Sequence, residues 1–386
     1  MITPRDIETK IELIENKLPS IVMDSGIPTP NWKDTSNLEQ KMRDYNVPGL
    51  SIAVINEFQI EWIKQYGIID KITKKKVTKK TLFEAGSTSK VLTALVALSL
   101  VNQGLLSLDE PVNNYLKSWK IPENELTENN PVTLRHLLTH TSGMNRPDSM
   151  FGVKEGHNVD IIQVLNGDSP ALNDPAAIEK KPGSEHQYSN IAFIAIEKLL
   201  QDTLGKSTSK IINDYIFKPV NMKNSFAEYP SSNRDMSIIL PHDNEGNVRE
   251  TGYVKGTFGC AGLISTPEDI AKLSIELMKT YQGESEKIVS KKMIDEMLTT
   301  QLQFEPTKFF GWTGQGLGIF LIKSVDDLYF IHPGTNSPGA VCMMIGNPIK
   351  GHGLVIMSNG IMGELLHLEI LCAIAEVYNW SIYRVS

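Results

Sequence analysis

TLFEAGSTSKVLTALVALSLVNQG, residues 81–104, carries the pattern that decides how this chain folds. Leu82 to Ala85 reads as a short extended entry into Gly86-Ser87. From Val91 to Val101 apolar side chains recur on nearly every side, and a helix that is apolar all round sits at the centre of a protein rather than on its surface. Gly104 supplies the stop. Ser87 and Lys90 stand at the entrance of that helix at i and i+3, so they share one face, one turn apart. A serine hydroxyl is a poor nucleophile at neutral pH and needs a neighbouring base. The positive end of the helix dipole favours an oxyanion developing beside Ser87 and, with the apolar surroundings, the neutral form of the amine.

The same four letters recur at Ser207-Thr208-Ser209-Lys210, after Gly205, where an N-cap opening a short helix is expected. Neighbouring motifs separate the two copies. Tyr188-Ser189-Asn190 is the one Tyr-x-Asn in the chain and precedes a second apolar helix, Ile191 to Leu200, which Gly205 closes. A tyrosine near a lysine can pass a proton to a leaving group, and an asparagine amide can bind a carbonyl and hold the lysine. His332-Pro333-Gly334 ends a β-rich run, with Thr335 next. Gly334 leaves room for close approach, and a free N–H beyond it can join the Ser87 N–H as an oxyanion hole. Pro333 donates no N–H, which demands an edge or irregular position.

Working outward, Ile7, Ile11, Ile14 and Leu18 predict a helix over 5–18, followed by a Pro-rich connector and a helix capped by Ser36. Leu50 to Ile55 and Ile60 to Tyr66 alternate as a hairpin around Asn56-Glu57. Residues 145 to 186 read as a long excursion, and Pro267 to Thr280 as a helix capped by Thr266 or Ser265. Gly318 to Lys323, Leu328 to His332, Ala340 to Ile345 and Leu354 to Ser358 are short strands before a closing helix, Glu364 to Tyr378. Strands at both ends with helices between predict an α/β (α+β) protein. An antiparallel sheet is flanked by N- and C-terminal helices and carries a large helical insertion. The expected division is a discontinuous α/β lobe (1–86 and 256–386) and a mainly helical lobe (87–255), with the active site in the cleft between them.

The 386 residues carry a net charge of −7 and no long basic face; Lys71 to Lys80 reads as a solvated hairpin, so no nucleic-acid partner is expected. Cys260, Cys342 and Cys372 are too few and too apolar in setting for a disulfide framework. No apolar run is long enough to span a bilayer. The charged first ten residues hold no signal peptide, which predicts a cytoplasmic protein, or an exported one if a leader has been removed. His136 and His140 have the i, i+4 spacing of a zinc helix but lack the acidic neighbour, so neither a metal nor a cofactor is expected. His186 is expected to bond backbone, while Phe309, Phe310 and Trp312 are candidates to line the cleft.

The order S-x-x-K, Y-x-N, H-x-G resembles the serine β-lactamase and penicillin-binding-protein superfamily, a set related to the β-lactamase motifs. The likeness is greatest to the branch of class C β-lactamases, D-alanyl-D-alanine carboxypeptidases, D-aminopeptidases and esterases. VPGLSIAVI (47–55), VTLRHLLTHTSGM (132–144), GSEHQYSN (183–190) and AGLISTPEDIAKL (261–273) resemble that branch's blocks in its order. The resemblance implies a β-lactamase/transpeptidase-like fold. It implies a bacterial serine hydrolase acting through an acyl-Ser87 intermediate on amide or ester bonds of a small-molecule or peptide substrate. Lys90 would be the base, Tyr188 the proton relay, and Asn190, His332, Gly334 and Thr335 the substrate contacts. A carboxylesterase, or a penicillin-binding or sensor-like protein that acylates without efficient turnover, would use the same residues. His332 stands where class C β-lactamases carry lysine; a histidine is only partly cationic near neutral pH, which predicts a weaker, pH-dependent hold on a substrate carboxylate.

Overall fold

The computed structural model describes residues 4–23, 26–146, 151–154, 157–230, 237–250, 254, 256–336 and 338–383. The strands are β1 (Leu18–Val22), β2 (Thr29–Ser36), β3 (Gly49–Asn56), β4 (Gln59–Gly67), β5 (Phe83–Glu84), β6 (Ile264–Ser265), β7 (Leu302–Gln303), β8 (Gly314–Gln315), β9 (Phe320–Lys323), β10 (Leu328–Asn336), β11 (Ala340–Asn347) and β12 (His352–Ser358). The helices are α1 (Pro4–Asn16), α2 (Leu38–Asp44), α3 (Ser89–Asn102), α4 (Leu134–Leu138), α5 (Ile161–Asn166), α6 (Asn190–Leu204), α7 (Thr208–Ile212), α8 (Lys218–Val220), α9 (Phe258–Ala261), α10 (Pro267–Gln282), α11 (Lys291–Met297) and α12 (Gly363–Tyr378).

The main sheet runs β4-β3-β12-β11-β10-β9-β8-β7, antiparallel at every pairing. The two ends of the chain meet at its centre, where Val54 on β3 faces Leu354 on β12. The turn joining β3 and β4 is Glu57-Phe58, one residue later than the pattern suggested; both have positive φ (49° and 58°), as a tight hairpin matched to the strand twist requires.

Successive side chains on a strand point to opposite faces, and here both faces are covered. Met343, Ile345, Leu354 and Ile356 join the core under α1, α2 and α12. Cys342, Met344, Val355 and Met357 join the core shared with α3, α6 and α10. Strand β11 is therefore apolar from Ala340 to Ile345 and buried along its whole length. Helix α3 is buried from Ser89 to Leu100, the position that its all-round apolar sequence demands.

Three further expectations needed correction. Helix α1 ends at Asn16, and Leu18 opens a β1–β2 hairpin in place of the expected connector. Pro19 and Pro30 argue against strands in a sheet interior, but a two-stranded ribbon has free outer edges where a missing N–H costs nothing. The α2 cap is Asn37, whose side chain accepts from Gln40 N at 2.8 Å, rather than Ser36. Strand β10 runs past His332 to Asn336. In the 145–186 excursion only α5 is regular among the described residues, and 147–150, 155 and 156 lie outside them. Residues 71–80 are solvated apart from Val77.

Candidate active site

Gly86 adopts a left-handed φ of 51° and starts a single 3-10 turn, Gly86–Thr88, that delivers Ser87 to the head of α3. The turn is tied down on both sides. Ala85 N donates to Leu263 O at 2.8 Å, Ser89 Oγ donates to Gly86 O at 2.6 Å, and Leu263 N donates to Ser89 Oγ at 2.9 Å.

The β10 edge lies against this turn. The β9 pairing of β10 stops at Ile331, so from His332 onward β10 has no strand partner on that side. A Cβ on Gly334 would fall 2.0 Å from Ala85 O and 2.9 Å from Ser87 N, and one on Gly86 would fall 2.6 Å from Thr335 N. Only glycine permits two backbones to come this close. Thr88 Oγ1 bridges the gap to His332 O at 3.2 Å. Thr335 itself is exposed on the rim and donates to Glu364.

Lys90 is fully buried, and its Nζ has three oxygen neighbours: Ser87 Oγ at 3.0 Å, Asn190 Oδ1 at 2.7 Å and Cys260 O at 2.8 Å. The Asn190 and Cys260 oxygens are carbonyls and can only accept. A neutral amine would give its two N–H groups to them and turn its lone pair to the Ser87 hydroxyl. The Tyr188 ring centre is 4.9 Å from the same Nζ. Asn190 is the first residue of α6, whose Ser189 cap accepts from Ala192 N at 3.2 Å and donates to Asn145 O at 2.9 Å. The residues singled out in sequence as Ser87, Lys90, Tyr188, Asn190, His332 and Gly334 are thus gathered around one turn.

His332 departs from expectation in its charge. Its Nδ1 lies 2.7 Å from Pro333 O. Burial, only partly opposed by that carbonyl, pushes the imidazole down to about 3. It is neutral at physiological pH, so the predicted part-cationic, pH-dependent clamp is replaced by an uncharged ring. Beside it runs an aromatic wall: Phe320 is 5.3 Å from the His332 ring, Trp312 stacks on Phe320 at 4.3 Å, and Tyr188 faces Phe320 at 6.4 Å. Phe309 stacks on Phe304 at 4.0 Å, while Phe310 is exposed. His186 packs edge-on against Phe304 at 4.9 Å.

The second copy of the motif has a different fate. Ser207 caps α7, and Lys210 pairs with Asp214 at 2.9 Å. Sequence reasoning missed the Cys260 carbonyl, since every residue has one. It also missed Glu197, buried under α9, which accepts from Gly259 N at 2.7 Å and Thr208 Oγ1 at 2.6 Å; burial pushes its carboxyl up. His136 is engaged by its own helix cap, accepting from Thr133 N at 3.3 Å. Among the described residues no group of three or more His, Cys, Asp or Glu is placed to hold a metal. The three cysteines are free and buried, which pushes each thiol up to about 12. No helix among the described residues is long and apolar enough to cross a membrane.

The Beta-lactamase family model matches residues 35–364. Protein flp of Staphylococcus aureus (strain MW2) is 27% identical over 192 residues, 49% of this chain and 36% of that protein. The unguisins hydrolase ungD' of Aspergillus campestris is 29% identical over 253 residues, 63% of this chain and 46% of that protein. The chain therefore spans less than half the length of these curated relatives. The octameric penicillin-binding protein homologue from Pyrococcus abyssi superposes with a TM-score of 0.74 at 25% identity, covering 89% of this chain and 77% of that one. On a match that extends over most of its residues, the chain belongs to the Beta-lactamase family.

Proposed function

We propose that this protein is a serine hydrolase that cleaves amide or ester bonds through an acyl-Ser87 intermediate. The observation that carries the reading is the 3.0 Å contact between Lys90 Nζ and Ser87 Oγ, with the other two lysine contacts fixed on Asn190 and Cys260. Ser87 Oγ attacks the substrate carbonyl carbon while its proton passes to Lys90 Nζ. The tetrahedral oxyanion is held by the Ser87 and Thr335 N–H groups. The proton then reaches the leaving group by way of Tyr188, the C–N or C–O bond breaks, and water releases the acyl group by the reverse path. The reaction lies in a cleft between a discontinuous lobe (1–86 and 256–386) and a helical lobe (87–255), a division supported by the approach of Gly334 to Ser87 N.

Within this chemistry, neutral His332 and the aromatic wall favour uncharged esters and amides over substrates anchored by a carboxylate. The test is intact-protein mass after brief exposure to a p-nitrophenyl ester and, separately, a penicillin, with Ser87→Ala as control. The expected result is rapid ester turnover that Ser87→Ala abolishes. A lasting penicilloyl adduct on Ser87 with little ester turnover would point instead to a penicillin-binding protein. Full activity in Ser87→Ala would refute the reading.

A further inference from the structure

We infer that His140 is the positioning residue of the Tyr188–Asn190 segment, and so sets the proton path to the leaving group. The inference rests on the acyl-serine reading above.

His140 has a left-handed φ of 56° although it bears a side chain, and it is 1% exposed. Such a conformation persists only where surrounding contacts fix it. Here it turns two acceptors toward the same strand of chain. Its carbonyl oxygen accepts from Gln187 N at 2.7 Å, and its Nδ1 accepts from Ser189 N at 3.2 Å. The two bonds bracket Tyr188, whose ring lies 4.2 Å from the imidazole. The Phe193 ring backs the imidazole at 5.1 Å. Burial holds His140 well below the ordinary histidine range, so Nδ1 stays an acceptor. One residue beyond Ser189, Asn190 Oδ1 receives Lys90 Nζ. A shift of this segment therefore moves Tyr188 and Asn190 together. The His140 ring faces the backbone of the Tyr-x-Asn motif, while His136, one turn earlier, is engaged in its own helix cap.

A positioning role and a merely structural one differ in which substrates suffer. An ethyl ester leaves as an alkoxide and needs a proton from Tyr188; p-nitrophenolate leaves without one. The experiment compares kcat/KM for ethyl butyrate and p-nitrophenyl butyrate in the wild type, His140→Phe and His140→Asn. Phe keeps a ring but loses the acceptor. Asn tolerates the left-handed backbone and puts Oδ1 where Nδ1 stands. In His140→Phe the loss on the ethyl ester is expected to exceed that on the p-nitrophenyl ester by about ten-fold or more, with most of it recovered in His140→Asn. Equal losses on both esters, or no recovery in Asn, overturn the inference.

Crystal structures of the two variants give a readout independent of activity. Tyr188 is expected to move by about 1 Å in His140→Phe and to stay in place in His140→Asn. An unmoved Tyr188 in His140→Phe overturns the inference. If His140→Phe does not fold, His140→Gly, which relaxes the backbone and removes the acceptor, takes its place. If the wild type turns over neither ester, the hydrolase reading fails and the position of Tyr188 alone decides the role of His140.

Discussion

His332 Nδ1 lies 2.7 Å from the carbonyl oxygen of Pro333, the next residue in the chain. A carbonyl only accepts, so this nitrogen carries the proton and Nε2 is an acceptor. With the ring held neutral down to about pH 3, no His332 ionisation falls in the working range. The pH dependence of kcat/KM for p-nitrophenyl butyrate between pH 6 and 8 is therefore expected to have the same shape in wild type and His332→Gln. A wild-type inflection near 6.5 that disappears in the variant would contradict this.

The two Ser-x-x-Lys copies predict opposite phenotypes. Ser207→Ala removes only a helix cap, so kcat should stay within about two-fold while urea unfolding shows a loss of about 1 kcal/mol. A large fall in activity without a stability change would move the chemistry to Ser207.

Gly334→Ala is expected to be severe. The added methyl would overlap Ala85 O at 2.0 Å, and backbone cannot yield as a flexible side chain can. Opening the contact between β10 and the Ser87 turn separates the two N–H groups proposed for the oxyanion. Loss of one such donor costs about 100-fold or more in kcat. Steady-state kinetics beside a thermal melt checks this, and a variant with wild-type kcat would exclude the proposed oxyanion hole.

The buried histidines should make acid destabilise the fold well before the depressed carboxylates of Asp202 and Asp243 titrate. Burial holds His332 and His367 down to about 3 and His352 to about 4. Below the ordinary histidine value near 6.5 the unfolded chain binds protons that the folded one refuses. Stability is therefore full above about pH 6.5 and falls as the pH drops toward 4. Asp202 and Asp243, held down at about 2, give up their contribution only below the carboxylate range near 4. A urea midpoint that stayed flat from pH 7 to 5 would argue against neutral buried histidines.

Much of the architecture was legible because burial leaves its mark in the sequence. The all-round apolar character of α3 and the short apolar runs of β11 and β12 are written in side-chain order. Some caps were legible: Gly205 closes α6 as expected, and Thr266, one of the two candidates, heads α10. The β1–β2 hairpin was not, because its prolines resemble a connector and only the free edges of a two-stranded ribbon accommodate them.

At the site, sequence by itself determined the candidate side chains and their order: Ser87 and Lys90 one turn apart, Tyr188 and Asn190 at the head of the next apolar helix, and His332 with Gly334 on a late strand. Tertiary structure decided their states. Cys260 supplies its carbonyl to Lys90 across 170 residues, His332 is neutral, and His140 is turned toward Ser189 rather than paired with His136 in a metal site. The reason is physical. A side chain's chemistry travels with its residue type, whereas its charge depends on desolvation and its partners on main-chain oxygens that every residue carries alike.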